Sequence, residues 1–333
     1  MFDTKVLKAG PTSLSQEEQF ASAVHQGLSL ENKCLPSWLI FDSAGSEIFK
    51  AITELADYLP AACEFEIIRN HKNKIAKLIT DDTFNLIELG SGDGCKTRIL
   101  IEYLINENFR FHYFPIDISS GAVSNLVRSL EADQQNTSLK VTGLIGDYFD
   151  GLNTIIQEGP EQNLVLFLGV TLNNMNPDTA RSFLKNLRQT LGPKDFFLIG
   201  FDLMKDPKLL YSAYNNQLFE KFNLYLLDRI NQMLGANFNK DHFAQQGQYN
   251  PKTHAVESYL YSTRSQTVHI RALNENYHFR AWETMQTEQS FKFTLEEIEN
   301  LAAENGFQVV EHIFDSRKYF VSSVWKVAPK RGL

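Results

Sequence analysis

Cysteine is scarce in this 333-residue sequence: Cys34, Cys63 and Cys95 stand far apart, with no CxxC among them. That excludes a disulfide framework and a cysteine-rich zinc site, and it leads us to expect a reducing compartment, the cytoplasm. The eight histidines form no HExxH and no His-x-x-x-His pair, so no metal site is expected. Long apolar runs are missing too. The most apolar stretch, residues 164–172, is about half of what a membrane span needs. The opening MFDTKVLKAG lacks the apolar core of a secretory signal. Positive charge is in deficit, with 32 Lys and Arg against 40 Asp and Glu for a net charge of −8, so the footprint of a nucleic-acid binder is absent. The one terminal basic cluster, Lys326, Lys330 and Arg331, reads as a solvated tail. What remains is an ordinary globular composition of two-domain length, 43% hydrophobic, for which a monomer is the default expectation.

The pattern along the chain changes twice. Residues 1–60 read as mostly helical, with Ser15 and Glu18 forming a capping box and a second helix over 45–55. From residue 84, short apolar strands at 85–89, 111–117, 139–145, 164–168 and 195–201 alternate with helical patterns at 96–106, 123–130 and 177–192. Such alternation predicts a parallel sheet with right-handed crossovers. After Asp202 it stops: residues 207–240 read as helical and 252–290 as strands. A capping box at Thr294 and Glu297, then strands at 307–314 and 319–327, close the chain. An α/β domain interrupted by a second unit is therefore expected.

The sharpest motif is Glu88-Leu89-Gly90-Ser91-Gly92-Asp93-Gly94, between a strand and a helix. Glycines there allow a tight turn and close approach of backbone to ligand, and the following helix N-terminus offers free N–H groups. The dinucleotide fingerprint would need glycine at 95, which is Cys95. Asp117 ends the next strand, 23 residues after Gly94, where a carboxylate accepts from ribose hydroxyls. Gly146-Asp147-Tyr148 ends the third strand; Asp147 can accept from an adenine amine and Tyr148 can stack. The set fits S-adenosylmethionine (SAM) better than NAD. A nucleophile elbow is excluded, because Leu89 stands two residues before Ser91.

These motifs sit among longer stretches: SWLIFDSAGSEIFKAITELADYLP, ELGSGDGCKTR, LFLGVTLNNMNP, GFDLMKDP, AYNN, FNLYLLDRIN, GQYNP and ETMQTEQSFKFT. In these the chain resembles, over roughly residues 30–330, the SAM-dependent histidine Nα-methyltransferases of ergothioneine biosynthesis and their relatives acting on other amino acids. The resemblance implies a class I, Rossmann-like methyltransferase domain (63–204 plus 293–333) with an inserted α+β substrate-binding domain (1–62 plus 205–292). It maps cofactor contacts onto Gly90, Lys96, Asp117, Asp147 and Tyr148, with Gly169 in the loop after the fourth strand; Gly92 belongs to the same turn and Phe41 bears on the same site. Substrate residues map onto Asn174 and Tyr214 for the carboxylate, Tyr58 for the amine, and Glu288 and Ser290 for the imidazole. Tyr58 and Asn174 would orient the amine for transfer. These types suit the work. Asn and Tyr can donate to a carboxylate, Glu288 can accept from an imidazole or indole N–H or pair with a cation, and Ser290 can donate to the other ring nitrogen.

The chain departs from the histidine enzymes at four places. Phe41 replaces their usual Tyr, Leu59-Pro60-Ala61-Ala62 replaces Tyr-Pro-Thr-Arg, Asn173 replaces a glycine, and Ser258 replaces a Met near the substrate ring. The expectation is SAM-dependent methylation of an amino-acid α-amine, histidine first, by resemblance up to the trimethylated betaine. Tryptophan, prenylated tryptophan, tyrosine or arginine as acceptor stays open, as does a SAM-binding protein without turnover.

Overall fold

The buried, apolar strands of the middle of the chain sit side by side because both faces of each are covered. The structure, a computed structural model, describes residues 1–7, 15–133, 139–157, 159 and 161–329. Lys330 and Arg331 of the basic cluster lie outside the described residues. Elements are numbered along the whole chain. The chain divides into two units.

The first unit comprises Met1–Gly10, Pro60–Leu203 and Phe293–Leu333. Its sheet has eight strands: β1 (Phe2–Val6), β3 (Thr83–Leu89), β4 (Arg110–Asp117), β5 (Lys140–Ile145), β6 (Gln162–Phe167), β7 (Phe196–Asp202), β13 (Phe307–Phe314) and β14 (Phe320–Val327). Their spatial order is β1-β5-β4-β3-β6-β7-β14-β13. The first six run parallel; β14 is antiparallel to β7, and β13 to β14. Helices α3 (Leu59–Ala76), α4 (Cys95–Asn106), α5 (Ser120–Asp133), α6 (Tyr148–Gln157), α7 (Pro177–Thr190) and α10 (Leu295–Glu304) belong to this α/β unit. Chain order reverses at β3: β4 and β5 build out to one side, β6 and β7 to the other. Beyond the carboxyl ends of β3 and β6 lies the crevice where doubly wound sheets bind ligands. Stacked rings fill the core beneath, with Phe167 4.8 Å from Phe183 and Phe201 5.8 Å from Trp325.

The second unit comprises Pro11–Leu59 and Met204–Lys292. It contains α1 (Gln16–Ser29), β2 (Lys33–Cys34), α2 (Ser43–Thr53), α8 (Pro207–Tyr214), α9 (Gln217–Leu234), β8 (Phe243–Asn250), β9 (Ala255–Ser262), β10 (Gln266–Ile270), β11 (Glu275–Phe279) and β12 (Thr284–Phe291). β2-β12-β9-β8 form one sheet and β10-β11 a separate hairpin.

One expectation is corrected by the structure. Residues 1–10 join the first unit instead of the second, because Phe2–Val6 adds a strand to β5. The helical expectation for 207–240 is met by two helices, Pro207–Tyr214 and Gln217–Leu234; between them the Asn216 side chain caps the second by accepting from Leu218 and Phe219 N–H, both at 3.1 Å. Phe243–Asn250, between the helical and strand regions, is a full strand.

Candidate active site

In the first unit, β3 delivers the chain into a turn that favours glycine at three positions. Gly90, Gly92 and Gly94 have φ of 75°, 51° and 65°, the left-handed region that L side chains rarely adopt. A Cβ on Gly90 would stand 2.9 Å from the Tyr148 hydroxyl, and one on Gly94 2.4 Å from Leu126. Below the turn, the buried Glu88 carboxylate accepts from Thr97 Oγ1 at 2.6 Å and from the Tyr113 hydroxyl. Burial pushes Glu88 up to about 7 despite those donors. It ties the first turn of α4 to β3 and β4.

Asp117 ends β4. Its Oδ2 accepts from Gly92 N–H at 3.1 Å and its Oδ1 from Ser119 N–H at 2.9 Å. A carboxylate has about four lone-pair sites, so acceptor capacity remains for a diol. Asp147 caps α6, accepting from Phe149 N–H at 2.8 Å. Tyr148 opens that helix with its ring edge-on to Phe167 at 5.9 Å; burial first, then Asp117 and Asp147, raise its phenol above the ordinary range. Lys96 is not a lone cation at a helix start. Its Nζ pairs at 2.5 Å with Glu64 of α3, whose side chain is fully buried. Glu64 also accepts from Gly169 N–H at 2.7 Å, joining α3, α4 and the loop after β6. Burial works against the Lys96 charge, but Glu64 overrides it and the pKa is raised. Sequence reasoning missed Glu64, because a carboxylate within a helix carries no sign of burial. Asn174 ends a 3₁₀ turn, Leu172–Asn174, and its buried Oδ1 has no hydrogen-bond partner.

The second unit holds the remaining residues. Tyr214 ends α8, 2% exposed, with its ring 6.2 Å from that of Tyr58 and 4.8 Å from that of Phe219. Gly247 lets the end of α8 come close to β8, since a Cβ there would lie 3.0 Å from the Tyr214 carbonyl oxygen. Phe41 packs edge-on to Phe49 and Phe222 at 5.4 and 5.5 Å. Across the sheet Gly247 pairs with Ser258, and Ser258 with Glu288. A bulge between Gln286 and Glu288 shifts the register. Gln286 opposes Tyr259 while Glu288 opposes Ser258, so the bulge re-aims Glu288 and Ser290 onto the Ser258 face. Ser258 Oγ and Glu288 Oε2 are buried without partners. Burial raises Glu288 to about 7, against the pull of the Lys292 charge. Lys292, two residues beyond Ser290 and 1% exposed, donates to Ser290 Oγ at 2.7 Å and to the Tyr214 hydroxyl at 3.1 Å. It too was missed, although Glu288, Ser290 and Lys292 recur at the strand period. The structure thus groups Tyr58, Tyr214, Ser258, Glu288 and Ser290 in one unit with Phe41, and Asn174 with the glycine turn in the other.

The strand order, the left-handed glycine turn at the point of reversal and the acidic strand end beside it are the frame of a doubly wound fold that holds a nucleotide-bearing cofactor, and the family match makes its class the SAM-dependent methyltransferases. The chain belongs to a particular family of that class, the histidine-specific, SAM-dependent methyltransferases, which matches residues 20–327. It is 32% identical to the histidine N-alpha-methyltransferase of Mycolicibacterium smegmatis over 88% of this chain and 90% of that one. The Mycobacterium tuberculosis enzyme of the same description is 33% identical, over 81% and 83%. A 4-dimethylallyltryptophan N-methyltransferase of Aspergillus fumigatus is 24% identical, over 88% and 89%. The chain is a SAM-dependent N-methyltransferase, which removes the alternative of a SAM-binding protein without turnover.

Proposed function

We propose that the enzyme methylates the α-amino group of histidine, in successive rounds up to the betaine. The observation that carries the choice of histidine is the buried, unpartnered Glu288 Oε2 two residues from Ser290 on one strand face. A site built to hydrogen-bond a ring N–H rejects side chains that lack one. Tyr214 and Asn174 would donate to the substrate carboxylate, and the Tyr58 hydroxyl would orient the amine lone pair. For the cofactor, Gly90 and Gly92 would let backbone approach it, Asp117 would accept from the ribose, Asp147 and Tyr148 would border the adenine, and Lys96 and Gly169 would line the rest of it. SAM supplies a methyl group on a sulfonium, open to displacement. The residues of this chain contribute by positioning, which can lower a barrier by as much as ~7–11 kcal/mol. The three free cysteines suit a reducing compartment such as the cytoplasm, and no helix among the described residues is long and apolar enough to cross a membrane. An indole substrate is the second reading, favoured by the small, fully buried Ser258. Histidine incubated with methyl-labelled SAM tests the proposal. Tandem mass spectrometry should place the label on the α-nitrogen, in one to three copies; label on a ring nitrogen would overturn it.

A further inference from the structure

Lys292 has a consequence for which ring the site accepts. An ammonium has hydrogens to give and no lone pair. Ser290 Oγ, 2.7 Å away, and the Tyr214 hydroxyl oxygen, 3.1 Å away, must therefore both accept from it. The Ser290 proton is turned away from Lys292, and Ser290, 0% exposed, has no other hydrogen-bond partner among the described residues. A buried donor without an acceptor is costly, so a ligand must bring the acceptor. Two residues along the same face, Glu288 Oε2 is a buried acceptor without a donor. We infer that Lys292 is a positioning residue that fixes Ser290 as a donor, so that the site selects a neutral ring offering an N–H to Glu288 and a nitrogen lone pair to Ser290. One tautomer of imidazole meets that demand; indole, which has an N–H alone, does not. This rests on the proposal that Glu288 and Ser290 read the side chain of an amino acid.

The test compares kcat/KM for histidine with two analogues, a pyrrolylalanine that keeps the N–H but has C–H in place of the second nitrogen, and thiazol-4-ylalanine, which keeps a lone pair but no N–H. One unsatisfied buried hydrogen bond corresponds to roughly tenfold or more, so the wild type should prefer histidine over each analogue by at least about that factor. Lys292→Met, which lets the Ser290 hydroxyl turn, and Ser290→Ala, which deletes it, should each reduce the preference over pyrrolylalanine to below about threefold. The preference over thiazolylalanine, read by Glu288, should persist in both. Lys292→Arg keeps a side chain that donates and has no lone pair, so wherever it reaches Ser290 it should retain the wild-type ratio. Because each ratio is internal to one protein, a loss of folded fraction does not change it. A wild-type ratio near one for pyrrolylalanine overturns the inference without any variant, and an unchanged ratio in Lys292→Met overturns it while histidine methylation stands. Failure of the wild type to methylate any of the three overturns both this inference and the proposed function.

Discussion

Two carboxylates carry sharp expectations at the residue scale. Asp117 keeps acceptor capacity beyond its bonds to Gly92 and Ser119. Asp117→Ala should weaken SAM binding by about 1.5–3 kcal/mol, the range for hydrogen bonds to a charged group. Calorimetry with SAM and with NAD checks this, and NAD binding without SAM binding would contradict it. Glu288 makes a statement about stability. Its folded pKa is raised from 4.5 to about 7, chiefly by burial. Between those values the folded chain holds a proton that the unfolded chain has released. The contribution is complete below about 4.5 and is lost as pH rises through 7. Glu288→Gln imitates the neutral form, so its stability relative to wild type should grow between pH 5 and pH 8, by on the order of 3 kcal/mol. Urea unfolding at both pH values reads that difference; one that does not change with pH would show that Glu288 ionises normally.

Among the elements, β1 was the least legible. FDTKV carries little apolar content, and four of its five side chains are exposed. Its place comes from the ladder with β5, and from Leu7, whose Cβ lies 2.9 Å from where a Cβ on Gly146 would sit. Removing residues 1–7 would bare the edge of β5, a template for association. Each kcal/mol lost should lower Tm by roughly 2 °C or more, with aggregation that rises with concentration, as thermal melts and light scattering would show. The strands β3, β4, β6 and β7 were readable because strands buried on both faces are continuous apolar runs. β8 was not, since FAQQGQYN is mostly polar and earns its order from pairing with β9. The bulge at Thr287 leaves no mark in the sequence, yet it decides which face Glu288 and Ser290 occupy. Glu64 and Lys292 stayed hidden for a related reason. A charged side chain reads as exposed until a partner distant in the chain is seen to bury it, as Lys96 does for Glu64 and Tyr214 for Lys292.

For the whole molecule, chemistry is divided by unit. The glycine turn, Asp117 and the Glu64–Lys96–Gly169 group stand in the first, and the row from Ser258 to Lys292 in the second. Variants should divide likewise: Tyr214→Phe should raise the KM for the amino acid several-fold while leaving the Kd for SAM unchanged, a split that kinetics and calorimetry on one preparation would resolve. Family membership settles methyl transfer from SAM, and the choice of acceptor rests on the buried row. The most direct measurement is therefore kcat/KM for all twenty amino acids with saturating SAM, read as release of S-adenosylhomocysteine. The account predicts histidine first, with phenylalanine lower by roughly tenfold or more because it leaves Glu288 unpaired. Equal or faster turnover of phenylalanine would contradict it.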